Sequence, residues 1–434
     1  MDHLKNAVSI FYDGIAAVKP SLLLDRYIKW KEGVLYIMGT PLPLEPASRI
    51  YVLGAGKASA AMAAKVEEIL NDKISGGIVV TKYGYGDTLK KIKLIEAGHP
   101  IPDHNSVLAT AEFLRLTDTF KKEDVVLFLL SGGASSLLAD YPSTSNLEEV
   151  QLVFDLLLKS GATIHEMNTV RKHLSAIKGG GLARHIYPAK AFTLILSDVI
   201  GDQPDVIGSG PTVPDPSTFC DARAILEKYG LFQQVPSNII RHIEKGCAGE
   251  IADTAKKDET CFQFMKYSII GNNRIALEAA AASAEHAGYH TTIITDSLSG
   301  EAKIIGASIV QEAIGYQGPR PACFLYGGES TVTIKGKGTG GRNQELALAA
   351  GIALPVDGNI LLLSGGTDGS DGPTDAAGAL ADAKMMQMAK EKGLDAREFL
   401  RENDSYHFFS ALHGLIKTGP TQTNVMDIIV VLVT

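Results

Sequence analysis

The feature that most constrains the fold is a regular alternation of short apolar or β-branched runs with segments of helical periodicity. In the first half of the chain, buried strands are predicted at Ile50–Leu53, Ile78–Val80, Val125–Leu130 and Phe192–Leu196. Between the strands lie amphipathic segments such as 146–159, in which Asn146 is a helix cap and Glu149 is expected to complete a capping box. This alternation is typical of βαβ units, and it predicts an α/β fold with a mainly parallel sheet.

A second series of apolar runs predicts a second α/β domain. Its members are Tyr267–Ile270, Thr292–Thr295, Cys323–Tyr326, Ile360–Leu363 and Ile428–Val433. The chain has 434 residues, which favours more than one domain, and the polar stretch 228–266 holds no strong strand signal. The predicted domains are therefore residues 1–245 and 246–434. Apolar residues at helical spacing over 4–15 predict an N-terminal helix, which the sequence assigns to neither domain.

Composition excludes several classes of function. The net charge is −8 without a basic stripe, so nucleic acid is not an expected partner. No apolar run approaches the roughly 18 residues of a membrane span, and the N-terminal helix does not resemble a signal peptide. The four cysteines lack CxxC spacing, so neither a disulfide framework nor a zinc site is expected. These features predict a cytoplasmic protein whose oligomeric state is left open, a homodimer included.

Glycine-rich segments follow three of the predicted strands. Two glycines come after a strand at each of 131–136, 327–330 and 364–369, together with hydroxyl or acidic residues. One such pair usually marks a turn. Three of them favour a ligand site, because ligands of open α/β sheets bind beyond the carboxyl ends of the strands.

The segment 54–59 reads Gly-Ala-Gly-Lys-Ala-Ser and resembles two nucleotide-binding signatures without satisfying either. A P-loop requires glycine at Tyr51 and a hydroxyl residue at Ala58, and a dinucleotide fingerprint requires glycine at Ser59. What remains of these signatures is a lysine in the first turn of a helix that follows a buried strand. An anion is expected beside Lys57, since its ammonium would otherwise face the positive helix end. The alternative is a solvated lysine.

The strongest single stretch is the glycine-rich loop 336–345, which ends in Arg342 at the start of a predicted helix. Arginine presents a planar fork that holds carboxylate or phosphate bidentately. The alternative is a flexible hairpin turn. A second basic stretch, 168–181, is another candidate for phosphate contacts, with a solvated helix face as its alternative.

Acidic residues also follow predicted strands. Asp198 comes just past Phe192–Leu196, after Ser197, and three acids lie within Thr367–Asp375. Such carboxylates suit a Mg²⁺ ligand or a general base, whereas a helix cap and a solvated turn are the structural alternatives. The segment 418–425 adds hydroxyls and an amide before the last strand.

Taken together, these stretches resemble glycerate kinase of the class that carries the MOFRL domain. The matching blocks cover nearly the whole chain in order: GAGKAS at 54–59, EAGHPIPD at 96–103, SGGASSLL at 131–138, KGGGLA at 178–183, SDVIGD with SGPT at 197–212, GGEST at 327–331, GTGGRNQE at 338–345, GTDGSDGPTDAAGA at 366–379 and TGPTQTNVMD at 418–427. One departure is Gln422, where relatives more often carry glycine.

The resemblance implies a Rossmann-like domain and a smaller α/β domain containing the MOFRL module, with the active site in the cleft between them. It also implies ATP- and Mg²⁺-dependent phosphorylation of D-glycerate at the 2-hydroxyl, with Lys57 and Arg342 as the essential pair. We expect Asp198 to act with them as a catalytic group, and Asp198, Asp368 and Asp371 are the candidate metal ligands.

Candidate nucleotide- and substrate-binding residues are Gly54, Gly56, Ser131, Gly132, Gly133, Ala134, Ser135, Ser136, Lys178, Gly328, Glu329, Gly340, Gly341, Asn343, Thr421 and Asn424. Two other classes of function are retained as alternatives. One is an NAD(P)H-dependent hydroxypyruvate reductase, a label that similar sequences carry but that the incomplete dinucleotide fingerprint disfavours. The other is a non-catalytic metabolite-binding protein.

Overall fold

The computed structural model describes residues 2–356 and 358–434. The described chain forms two compact units. One unit, called the N-terminal unit here, is Leu24–Ile270. The other, called the C-terminal unit, combines the described residues up to Leu23 with Gly271–Thr434. The units therefore divide at Ile270, whereas the sequence places a domain boundary near residue 245.

The strands are β1 (Ile28–Lys31), β2 (Val34–Ile37), β3 (Thr40–Leu42), β4 (Ile50–Ala55), β5 (Ile74–Lys82), β6 (Lys93–Ala97), β7 (Val125–Leu130), β8 (Lys190–Leu196), β9 (Met265–Gly271), β10 (His290–Glu301), β11 (Ala322–Thr331), β12 (Ile360–Gly366), β13 (Gly378–Asp382), β14 (Leu415–Ile416) and β15 (Asp427–Val433).

The helices are α1 (His3–Ala17), α2 (Pro20–Tyr27), α3 (Ser59–Leu70), α4 (His104–Thr117), α5 (Ala134–Leu137), α6 (Leu147–Lys159), α7 (Ile164–His173), α8 (Gly181–Ile186), α9 (Phe219–Lys228), α10 (Ser237–Cys247), α11 (Asn273–His286), α12 (Ala302–Ile314), α13 (Arg342–Ala353), α14 (Ala383–Glu391), α15 (Ala396–Arg401) and α16 (Ser405–Leu412).

The N-terminal unit contains a six-stranded sheet in the order β6-β5-β4-β7-β8-β9. The pairs β4–β5, β4–β7, β5–β6 and β7–β8 are parallel, which confirms the predicted α/β fold with a mainly parallel sheet. β4 and β7 are buried along their whole length, as expected for central strands covered on both faces. The run Tyr267–Ile270 was expected to begin the second series of strands. That expectation is wrong, because β9 completes the first sheet at its edge beside β8.

The C-terminal unit contains a mixed six-stranded sheet in the order β10-β11-β15-β12-β13-β14. β15 is antiparallel to both β11 and β12, so the last strand of the chain lies in the centre of this sheet and runs against its two neighbours. Helix α1 packs against α11 and β15, which settles where the N-terminal helix belongs. Its Phe11 ring lies against Gly365 of β12.

Two local features differ from the sequence-based expectation. Asn146 caps α6 by accepting a hydrogen bond from the Glu149 backbone N–H, as predicted. The Glu149 carboxylate, however, accepts from Ser145 Oγ, so the capping box does not form. A small antiparallel sheet, β1-β2-β3, lies in a segment for which the sequence predicted no strands.

One helical stretch, His3–Tyr27, is long and apolar enough to cross a membrane when judged by length and composition. Half of its apolar window is buried inside the protein. All four cysteines carry free thiols.

Candidate active site

In the N-terminal unit, the loops after β4 and β7 are joined to each other. The Lys57 backbone N–H donates to the Gly132 carbonyl at 2.9 Å, and the Ala58 N–H donates to Ser131 Oγ at 3.0 Å. Gly56 has a φ of +128°, and a Cβ atom there would lie only 2.1 Å from Ser131 Oγ. Glycine is therefore required at Gly56 both for its conformation and for the close approach of the second loop.

Lys57 lies just before Ala58, the N-cap of α3, and therefore outside the first turn that the sequence suggested. Its half-buried side chain passes over Gly133, where an added Cβ atom would lie 3.6 Å from Lys57 Cγ and 2.8 Å from His99 Nε2. Sequence reasoning did not single out His99, although it lies within the matching block 96–103. The structure places the His99 ring beside Gly133 and the Lys57 side chain.

Asp198 lies two residues after the end of β8, at the same edge of the sheet. β7 pairs in parallel with β4 on one side and β8 on the other, so the carboxyl ends of these strands lie together. The structure thus brings Lys57, the 131–136 loop and Asp198 to one edge of the first sheet, whereas Gly54 lies inside β4.

Within the 131–136 loop, the serine side chains differ in orientation. Ser136 turns back, and both its N–H and its hydroxyl donate to the Gly133 carbonyl. Ser135 Oγ instead lies 2.7 Å from Ser209 Oγ. Lys178 is 4% exposed, and its Nζ donates to the Leu138 carbonyl at 2.5 Å.

In the C-terminal unit, Arg342 begins α13 as predicted, and two carboxylates hold its guanidinium. Nε and Nη2 donate to the two oxygens of Asp427 at 2.6 and 2.9 Å, and Nη1 lies 2.9 Å from Glu329 Oε1. Burial disfavours the charge, but Asp427 and Glu329 outweigh it and raise the pKa of Arg342 above its usual range. Arg342 therefore keeps its charge at any accessible pH.

Asp427 was not among the predicted site residues. It pairs with Gly328 of β11 and Gly366 of β12, so it lies between the carboxyl ends of these two strands. The carboxylate is 5% exposed and takes Arg342 side-on. Asp427 is the last residue of the matching block 418–427, so the sequence contained a signal for it. Its role, however, depends on β15 running antiparallel to β11 and β12.

Asp371 caps α13, the helix that begins at Arg342, from a loop that is distant in sequence. Its carboxylate accepts from the backbone N–H groups of Asn343 at 3.1 Å and Gln344 at 2.9 Å, and from both of their side-chain amides. Burial raises the pKa of Asp371 to about 6, while the helix N–H groups oppose that shift. The aspartate is therefore mostly ionised at neutral pH. Satisfying the unpaired N–H groups of a helix start is a structural role, and both oxygens are engaged in it.

Three further candidates of this unit lie around the start of α13. Gly341 approaches the Asp371 carboxyl group, Gly340 approaches Ser405, and the Asn343 amide oxygen accepts from Ser364 Oγ at 2.6 Å.

Gly328 and Glu329 were expected in a loop after a strand. That expectation is wrong, because β11 continues through both of them to Thr331. A side chain at Gly328 would collide with the Leu298 backbone of the adjacent strand β10, so this glycine serves close strand packing, not a turn.

Two loops that are hydrogen-bonded to each other contain Thr421, Asn424 and Asp368. Thr421 Oγ1 donates to the Thr367 carbonyl at 2.5 Å, and its N–H donates to the Asp368 carbonyl at 3.3 Å. The Asp368 carboxylate accepts from the Ser370 N–H at 3.0 Å. Asn424 is 7% exposed. Gln422 has a φ of +66°, a backbone conformation that glycine adopts at lower cost than glutamine.

The described residues include no cluster of three or more histidine, cysteine, aspartate or glutamate side chains arranged to hold a metal ion. This finding does not conflict with Mg²⁺ carried by a nucleotide, which usually takes one or two protein carboxylates and completes its shell with phosphates and water.

Cations held beside glycine-rich loops at the carboxyl ends of buried strands are the features of a protein that binds small anionic metabolites. Two sequence families match the chain: a domain of unknown function, DUF4147, over residues 6–244, and the MOFRL family over residues 322–427.

Individual relatives point the same way. A D-glycerate 2-kinase of Thermotoga maritima is 42% identical, with 99% of this chain and 98% of that protein covered. A crystal structure of glycerate kinase from Thermotoga maritima superposes with a TM-score of 0.85 at 41% identity, covering 99% of each chain. A protein named putative hydroxypyruvate reductase, from Agrobacterium vitis, is 44% identical, with 90% of this chain and 89% of that protein covered. The chain belongs to the glycerate kinase family with the MOFRL domain.

Proposed function

We propose that the protein is a glycerate 2-kinase, which transfers the γ-phosphoryl group of ATP to the 2-hydroxyl of D-glycerate and releases ADP. The observation that carries the proposal is the Arg342 guanidinium, fixed by Asp427 at the carboxyl ends of β11 and β12, in a chain similar along its length to a D-glycerate 2-kinase. A cytoplasmic location is part of the same proposal.

In the transfer, the 2-hydroxyl oxygen forms a bond to the γ-phosphorus, and the bond from that phosphorus to the bridging oxygen of ADP breaks. The proton of the hydroxyl passes to a base, for which Asp198 is the candidate. Phosphoryl transfer depends mainly on positioning and on stabilisation of charge on the phosphoryl oxygens. Lys57 supplies a point charge for this purpose.

Arg342 supplies directed donors. A guanidinium has five N–H groups, and the contacts with Asp427 and Glu329 use three of them. One N–H on Nη1 and one on Nη2 remain. Asp427 therefore acts as a positioning residue that holds the Nε edge of the arginine and leaves these two donors for an oxyanion.

Mg²⁺ bound with ATP would supply positive charge that offsets the charge of the phosphate groups. Of the three carboxylates suggested by the sequence, Asp198 and Asp368 are the better candidates to hold it. Asp371 is the poorer one, because both of its oxygens accept hydrogen bonds from the start of α13.

The test is an assay of purified protein with ATP, Mg²⁺ and D-glycerate, followed by ADP release. We expect turnover, and a product that enolase consumes without added phosphoglycerate mutase. A signal that requires the mutase would refute phosphorylation at the 2-position.

The reductase alternative is tested in parallel with NADPH and hydroxypyruvate. The structure disfavours this reading at Ser59, where a dinucleotide fingerprint has glycine. Ser59 is fully buried, and its hydroxyl lies 2.7 Å from the carbonyl oxygens of both Gly56 and Val80, so it fills the space beneath the turn. Reduction without kinase turnover would overturn the proposal, and binding of glycerate without any turnover would favour a metabolite-binding protein.

A further inference from the structure

A chain of polar side chains runs from the 131–136 loop of the N-terminal unit to an arginine that the proposed function does not use. Ser135 Oγ lies 2.7 Å from Ser209 Oγ, Ser209 Oγ donates to Asn168 Oδ1 at 3.1 Å, and Arg171 Nη1 donates to the same oxygen at 2.6 Å. Because an amide oxygen only accepts, Ser209 gives its hydrogen to Asn168, and Ser135 must be the donor to Ser209.

The backbone at the middle of this chain is strained. Ser209 has a φ of +62°, between Gly208 at +59° and Gly210 at +63°. Left-handed backbone is uncommon for a non-glycine residue, and such strain concentrates at functional sites. Ser209 is fully buried, so its conformation serves to place the hydroxyl between Ser135 and Asn168.

Arg171 is a half-buried cation without an acidic partner. Among the described residues, no carboxylate lies within ion-pair distance of it, and Asn168 takes only one of its five N–H groups. Its guanidinium stacks on the Phe154 ring, 4.7 Å from the ring centre. Burial lowers the pKa of Arg171 to about 10. An unpaired cation in such a place destabilises the fold, which is a reason to expect an anionic ligand.

Lys178 adds a second cation to the same cluster. Its ammonium bonds to the Leu138 carbonyl, and Asp140 Oδ1 is 3.8 Å away. That carboxylate already accepts from Ser175 Oγ at 2.5 Å and from the Ala176 N–H at 2.6 Å. The group therefore holds two cations against one carboxylate.

Asn168 contributes donors as well. Because its oxygen accepts from both Ser209 and Arg171, the orientation of the amide is fixed, and Nδ2 has no hydrogen-bond partner among the described residues. Two amide N–H groups are thus available beside the guanidinium.

We propose that Arg171, Asn168 and Lys178 form an oxyanion subsite continuous with Ser135. The ligand chemistry is a carboxylate or phosphate group, and the candidate sources are the carboxylate of glycerate and a phosphate of ATP. The assignment of the anion to a substrate rests on the proposed kinase function, whereas the existence of the subsite does not.

The test uses Arg171→Met, which keeps an unbranched side chain against Phe154 and removes the guanidinium. Binding of D-glycerate alone, ATP alone and inorganic phosphate alone is measured by calorimetry, and the melting temperature of each ligand-free protein is measured in parallel. Arg171→Lys, which retains charge without the fork, should have an intermediate effect on binding.

Arg223→Met is the matched control. Arg223 also lies on a helix of the N-terminal unit and stacks on a phenylalanine, Phe232, at 5.6 Å. Its guanidinium, however, is paired with Glu227 at 2.8 Å, and its side chain is exposed. Removing a paired, exposed arginine should leave the binding of all three probes unchanged.

We expect Arg171→Met to raise the Kd of inorganic phosphate and of one substrate by roughly 10- to 100-fold, the scale of a lost charge-assisted contact. The substrate affected identifies the source of the anion. The ligand-free melting temperature should be unchanged or higher, because an unpaired cation has been removed.

Two results would overturn the subsite. One is a variant with a lower melting temperature and unaltered binding, which would make Arg171 purely structural. The other is a wild-type protein that binds none of the three probes. Phosphate binding that depends on Arg171 in a protein without kinase turnover would sustain the subsite and refute the proposed function.

Discussion

Arg342→Lys tests whether the fork of the arginine is used, and not only its charge. In the structure, the fork takes both carboxylate oxygens of Asp427, and a third N–H group faces Glu329. A lysine at this position retains the positive charge, but one ammonium cannot reproduce two parallel bonds to a carboxylate and also direct two further donors at an oxyanion.

The expected losses of stability and of activity in Arg342→Lys follow from these contacts. A hydrogen bond to a charged group contributes roughly 1.5–3 kcal/mol. The Arg342 side chain is 33% exposed, so solvent weakens the lost contact. We therefore expect the free energy of unfolding to fall by about 1–3 kcal/mol. Loss of a donor to the transferring phosphoryl group should also lower kcat/KM, on the order of 10²–10³-fold.

The assay combines steady-state kinetics for D-glycerate and ATP with denaturant unfolding of the same preparation. Arg274→Lys is the control, since Arg274 lies in the same unit and forms an exposed helix ion pair with Glu278 at 2.9 Å. The control should leave kinetics and stability unchanged, because surface pairs of this kind contribute little.

Near-wild-type kcat/KM in Arg342→Lys would refute the reasoning, because it would show that charge alone suffices. A loss of stability equal to the expected value, with full activity in the folded fraction, would reduce Arg342 to a structural partner of Asp427.

Three further predictions concern single residues. Lys57→Ala should keep the fold and lower kcat/KM by roughly 10³-fold, the scale for a charge-stabilising group at a transferring phosphoryl; unchanged turnover would make Lys57 a solvated lysine. Burial lowers the pKa of Lys178 to about 8, with Asp140 opposing and Arg171 reinforcing the shift, so its ammonium is charged below pH 8 and neutral above it. The kcat/KM profile should therefore fall as pH rises through 8, and Lys178→Arg should move that fall to higher pH; an identical profile in both proteins would exclude Lys178 as its source. Gln422→Gly should raise the melting temperature, because left-handed backbone costs a non-glycine residue about 1–2 kcal/mol and the added chain entropy offsets only about 0.5–1 of this; a lower melting temperature would show that the Gln422 side chain stabilises its loop.

The parts of the fold that the sequence predicted are those that local signals determine. Continuous apolar runs predicted β4, β7, β8 and β15, because central strands covered on both faces are apolar at every position. The start of α13 at Arg342 followed from the glycine-rich loop before it. These signals lie within a few residues and do not depend on which strands become neighbours.

The errors arose where distant residues decide the structure. Glycine pairs were expected in ligand-binding loops after the strands, but Gly328 lies in β11, where the adjacent strand leaves no room for a side chain. Distant residues also determine the surroundings of Asp371, a predicted metal ligand, because its carboxylate caps a helix that begins 29 positions earlier, at Arg342. Asp427 was missed because its role requires the last strand to insert antiparallel between β11 and β12. No local pattern states that order of strands.

Arg342 and Arg171 illustrate how the pairing of an arginine separates stability from ligand binding. Arg342 is neutralised by two carboxylates, so its removal leaves Asp427 buried and unpaired, and any loss of activity must be separated from a loss of stability. Arg171 has no carboxylate within ion-pair distance among the described residues, so its removal relieves the fold of an uncompensated charge. An effect of Arg171→Met on binding, with stability preserved, would therefore report on the ligand alone.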